Sequence, residues 1–156
     1  MIPLRARLLH RLIRWPLALL LAALLAAPLQ AAELKLEAKL IWGTNDDNYS
    51  DPKHPRVDES TAAKLSKIFQ WKYYFEMNRV VGAVPSRGTK SFEMSKKCVI
   101  EITELAGPKV EVKLIGDGKP VNKTTKHLTK GESFTIAGDD KNGCAWFVII
   151  TDLDEK

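Results

Sequence analysis

The sequence predicts a mostly β protein, an antiparallel β-sandwich or open barrel of seven to eight strands with one short helix. Three observations carry that reading. Apolar and polar side chains alternate with period two through most of the chain, Gly, Pro, Asn and Asp break the pattern at short intervals, and only the stretch after Asp58 shows helical spacing.

The first 31 residues stand apart. Arg5, Arg7, Arg11 and Arg14 precede the apolar run 17–27 without an acidic residue between them, and Pro28 and Ala31 follow it. A basic start, a short apolar middle and a small residue at the exit is the order of an export signal. As a helix the run is about 17 Å long at 1.5 Å per residue, well short of a bilayer's core of about 30 Å. The expected cut lies between Ala31 and Ala32, giving a signal peptide over 1–31, a single β-rich domain over 32–156, and contact with the membrane only during export. No cysteine follows the run, so no lipid anchor is expected.

Cleavage would also remove the apparent basicity. The chain has 24 Lys and Arg against 19 Asp and Glu; four of the arginines lie in the leader, which leaves 20 against 19. A near-neutral domain lacks the concentrated positive face of a nucleic-acid binder, so no nucleic-acid partner is expected. About 125 residues suffice for a core without metals or many disulfides.

Residues 34–42 alternate as a strand with Leu34, Leu36, Ala38, Leu40 and Trp42 on one face. The polar stretch 43–57 reads as a long surface loop. Asp58 is placed to cap a helix over 59–69, in which Ala62, Leu65 and Phe69 recur on one side. From Gln70 to Val84 period two returns, setting Trp71, Tyr73, Phe75 and Met77 on a buried face and Lys72, Tyr74, Glu76 and Asn78 on the other. Shorter strands are expected over 90–94, 98–105, 109–115, 121–128, 133–137 and 144–150, with Asp117-Gly118 and Asn142-Gly143 as tight hairpin tips. The strand 121–128 is mostly polar and belongs at an edge. The strand 144–150 is apolar on both faces and belongs at the centre of a sheet.

Leu40-Ile41-Trp42-Gly43-Thr44-Asn45-Asp46, the joint Ile68-Phe69-Gln70-Trp71-Lys72, and the closing Ala137-Gly138-Asp139-Asp140 with Ala145-Trp146-Phe147 carry a resemblance to a group of small exported bacterial β-rich proteins. The resemblance implies a compact secreted β domain over most of the chain and implies no activity.

Four sets of residues are candidates for function. Cys98 and Cys144 both fall on core-facing positions, where they either bridge the two sheets in an oxidising compartment or remain buried thiols. A bridge would close a loop of about 46 residues and stabilise by roughly 4 kcal/mol in the chain-entropy model. Asn45, Asp46, Asp47, Asn48 and Asp51 supply oxygen ligands of the type calcium accepts, without an EF-hand register; the alternative is a loop of turn-forming side chains. Lys119, Lys123, Lys126 and Lys130 form a basic strip suited to an anionic partner, or to guarding an exposed edge strand against pairing. Trp42, Trp71, Tyr73, Tyr74 and Phe75 offer a platform for sugar rings, although parity sends most of them into the core.

No catalytic residue stands out. His54 and His127 occur in no metal-type or Cys/His spacing, and nucleophile-elbow, phosphate-loop and dinucleotide patterns are missing from the sequence. No cofactor is expected. The expected function is an exported binding or interaction module, acting through the loop 43–57 or a sheet edge on an envelope protein or glycan. A structural part of an envelope assembly comes second, and a hydrolase or metal-dependent enzyme third.

Overall fold

The computed structural model describes residues 33–139 and 145–153. The leader and its cut, Cys144 and the Asn142-Gly143 tip lie outside the described residues. Among the described residues, eight strands and one helix follow in chain order: β1 (Leu34–Thr44), α1 (Glu59–Ser66), β2 (Tyr73–Val84), β3 (Thr89–Ser95), β4 (Cys98–Glu104), β5 (Lys109–Gly116), β6 (Lys119–His127), β7 (Ser133–Asp139) and β8 (Ala145–Asp152). No helix among the described residues is long and apolar enough to cross a membrane.

The strands form two antiparallel four-stranded sheets, ordered β2-β1-β8-β7 and β3-β4-β5-β6. The second is a plain meander, while the first pairs the first described strand, β1, with the last, β8. The arrangement is a sandwich and not a closed barrel. Leu36, Ala38, Leu40, Val148 and Ile150 of the first sheet meet Phe92, Ile100, Ile102, Val110, Val112 and Leu114 of the second in one buried core. Burying apolar area at about 25 cal/mol per Å2 is the main force holding the two sheets face to face.

A second, smaller core lies on the outer side of the first sheet. Ile41, Tyr74, Ala145 and Phe147 project there, covered by Leu65 of α1 together with Ala62, Phe69 and Trp71. The expectation for β8 therefore holds: it is flanked by β1 and β7, with one face on the second sheet and the other under the helix. Gly43 has no side chain because Phe147 and Trp71 occupy that space, with ring atoms 2.8 and 2.9 Å from where a Cβ would stand.

Asp58 caps α1 as the sequence indicates, its carboxylate accepting from the Thr61 amide at 2.9 Å and the Thr61 hydroxyl at 2.7 Å. The helix is shorter than the spacing predicts, ending at Ser66, and the amides of Ile68 and Phe69 both bond the carbonyl of Leu65. The Asp117-Gly118 hairpin is present with both residues at positive φ, 48° and 73°, as a two-residue turn of this hand requires.

The reading of β2 needs correction in three places. The strand begins at Tyr73, and Trp71 turns to the outer core instead of lying with Phe75. Tyr74 does face away from the second sheet, but α1 covers it and leaves it only 2% exposed. Asn78 was expected outside with Tyr74, yet it points inward and its Nδ2 donates to the Met94 carbonyl at 2.9 Å. The cause is a β-bulge: Ile41 pairs with Glu76 and Leu40 with Asn78, so Met77 is an extra residue and parity reverses beyond it.

Two outcomes test this packing. Phe147→Ala empties a fully buried ring site and is expected to lower unfolding free energy by about 3–5 kcal/mol in chemical denaturation. Asp58→Ala removes the cap and is expected to cost about 1 kcal/mol. The Asp58 carboxyl is held below its ordinary pKa, first by its side-chain bond to Thr61. Its contribution is thus complete above about pH 4 and fades as pH falls through the lowered value. Denaturation in acid should show wild type and variant converging.

Candidate functional site at the loop end

Three strand pairs carry a bulge, and all three bulges lie near the same end of the sandwich. In β1–β2 the extra residue is Met77. In β3–β4, Glu93 pairs with Val99 and Ser95 with Cys98, so Met94 is extra. In β5–β6, Leu114 pairs with Asn122 and Ile115 with Pro120, so Val121 is extra. A bulge leaves one residue outside the ladder, and these three unpaired residues line a single open cleft of about 970 Å3 between the sheets.

The first sheet contributes Leu40, Trp42, Gly138 and Trp146 to the cleft, and the second contributes Cys98, Leu114 and Gly116. Gly138 lies beneath the Trp146 ring, where a Cβ would collide with it. Val121 is 59% exposed at the mouth. The β3–β4 and β5–β6 hairpins are joined there by a bond from the Asp117 amide to the Lys97 carbonyl at 2.8 Å. The lining is mainly apolar with a few polar and sulfur-bearing side chains, as in a ligand pocket.

The loop between β1 and α1 supplies the remaining wall. Tyr49 packs edge-on against Trp42 and Phe75, with ring centroids 4.8 and 4.6 Å apart. Its hydroxyl meets His54 Nδ1 at 2.8 Å, and the same nitrogen lies 3.1 Å from Asp51 Oδ2. A carboxylate only accepts, so it favours the tautomer with the proton on Nδ1 and a lone pair on Nε2. Burial, and then the negative charge of Asp51, push the Tyr49 hydroxyl above its ordinary pKa. The loop is tied to the edge of β2 by Val57 N–H to Tyr74 O and Glu76 N–H to Pro55 O, while Arg56 lies 4.5 Å over the Tyr73 ring.

The acidic loop residues do not converge. Asp46 accepts from the Asn48 amide, Asp51 from the Lys53 amide and Asn45 from the Lys72 amide, while Asp47 engages Tyr73 and raises that hydroxyl's pKa. These are turn and tether roles, and among the described residues no three His, Cys, Asp or Glu side chains gather to hold an ion. Asp51 does reach the cleft indirectly, through His54.

The lysines lie on the edge strand β6 and its flanks, as expected, but they do not share a face. Lys123 pairs with Glu111 at 3.0 Å, Lys126 stands opposite Val110, Lys119 follows the hairpin tip and Lys130 lies in the next turn. The aromatic residues separate as well. Trp42 lines the cleft, Phe75 and Tyr49 buttress it, and Trp71 and Tyr74 belong to the outer core.

Cys98 carries a free, half-buried thiol whose pKa is raised by burial. The sequence reading missed Tyr49, His54, Met77, Met94 and Val121 as site residues. The signal available for the methionines was their count: apart from Met1 the chain has only these two.

No family model, curated protein or solved structure matches this chain.

Burial of Cys98 is open to a direct check. In a Cys144→Ser background, alkylation of Cys98 by iodoacetamide is expected to be slower than that of a free model thiol at neutral pH. Its rate should still be rising with pH above 9, because the thiolate reacts and the pKa is raised.

Proposed function

We propose that this chain is an exported binding module whose ligand sits in the cleft at the loop end of the sandwich. One observation carries the reading: Met77, Met94 and Val121, the extra residues of three separate bulges, all project into that cleft. Each bulge gives up regular ladder pairing, and three such departures aimed at one space indicate a space with a use. The long loop anticipated as the binding element lines it through Tyr49 and His54. Export rests on the basic and apolar order of residues 1–31.

The neutral probe N-phenyl-1-naphthylamine tests the cleft. Saturable binding at one site, with quenching of tryptophan emission, is the expected result, and Val121→Asp at the mouth should weaken it several-fold. A probe that never saturates, or that binds the variant equally well, refutes the site. Export is tested separately by intact-mass measurement on protein recovered from outside the cytoplasm. The expected mature N-terminus is Ala32, and an uncut chain there counts against a cleaved leader.

A further inference from the structure

We infer that the ligand of this cleft is a soft monovalent metal ion, with Cu(I) as its type, held by Met77, Met94, Cys98 and His54. The inference rests on the cleft reading above and narrows it to one ligand class.

The four side chains come from separate elements and line the same space. Three of them, Met77, Met94 and Cys98, belong to the core between the sheets. Met94 and Cys98 are inward-facing neighbours across the β3–β4 ladder, where Cys98 pairs with Ser95. The Asn78 side chain donates to the Met94 carbonyl, which sets the adjacent Met77 bulge over the same point of β3. Both thioethers thus face the cleft that the free thiol also lines.

His54 enters from the loop. Its Nδ1 faces the Asp51 carboxylate at 3.1 Å and Tyr49 at 2.8 Å, leaving the Nε2 lone pair for a ligand. A carboxylate behind the distal ring nitrogen is the usual support of a metal-binding imidazole. Thioether, thiol and imidazole together select a soft ion and are a poor set for Ca2+ or Mg2+. When the ion binds, the Cys98 S–H bond breaks, the sulfur pair forms the bond to copper, and the proton passes to solvent. No electron changes hands.

The test is anaerobic titration of the purified Cys144→Ser protein with Cu(I) against the chelator bathocuproine disulfonate. One equivalent is expected to be withheld from the chelator. Met77→Leu with Met94→Leu, and separately Cys98→Ser, should each weaken retention by at least roughly tenfold. Asp51→Asn, which removes only the support behind His54, should weaken it less than either. Melting curves show whether the variants fold, and copper-edge X-ray absorption of the unaltered site, expected to show sulfur neighbours, needs no variant. Retention unaffected by the methionine pair, or absorption showing only nitrogen and oxygen neighbours, overturns the inference. If N-phenyl-1-naphthylamine binds and copper does not, the metal assignment fails and the cleft stands; if neither binds, both fail.

Discussion

The requirement that both faces of β8 be shielded from water organises the rest of the molecule. Trp146, Val148 and Ile150 need the second sheet, whereas Ala145 and Phe147 on the opposite side need something else. All described strands are already in the two sheets, so a two-turn helix provides it, anchored by Leu65 and started by Asp58. That demand sets several smaller choices. Gly43 must lack a side chain beside Phe147, Trp71 must leave the line of β2, and Tyr74 must lie under the helix with its hydroxyl directed at the Phe69 carbonyl, 3.4 Å away. An isolated eight-residue helix is marginal in water, so α1 owes its existence to the apolar surface it covers.

Those features of the fold that depend on neighbouring residues were legible in the sequence. Alternation located β1, β4 and β5 and their inward residues, the Asp-Gly pair located a hairpin, and Asp58 located the helix start. Features set by tertiary contact were not. Parity correctly put Tyr74 on the face away from the sandwich, but nothing local says that a helix will settle there. The bulges are harder still. Met77 lies within an unbroken strand pattern, and only its unmatched place opposite β1 shows that the residues after it have changed sides.

The same distinction explains the candidate residues. Asp46, Asp47 and Asn45 stand out because polar residues cluster in sequence, and they are occupied with the Asn48 amide, with Tyr73 and with the Lys72 amide respectively. The four lysines look like a strip because they are close along the chain, but Lys123 and Lys126 fall on opposite faces of β6, Lys119 opens that strand and Lys130 lies in the turn after it. Residues of the cleft share no such proximity: His54, Met77, Met94 and Val121 belong to four elements and meet only because three ladder irregularities and one long loop fall at the same end. Alternation turns Cys98 toward the core, either as a thiol or in a bridge to Cys144, and there it is free and half-buried; its nearness to Met94 depends on the register of β3 with β4.

The offset within β2 bears on how such a chain can diverge. Beyond Met77 the inward set is Asn78, Val80, Gly82 and Val84, and it keeps its place only while one surplus residue precedes it. Replacing a letter there alters a single contact, whereas removing one would swap the wet and dry sides of half a strand. Descendants of this chain should therefore drift in spelling at positions 76–84 long before they drift in count.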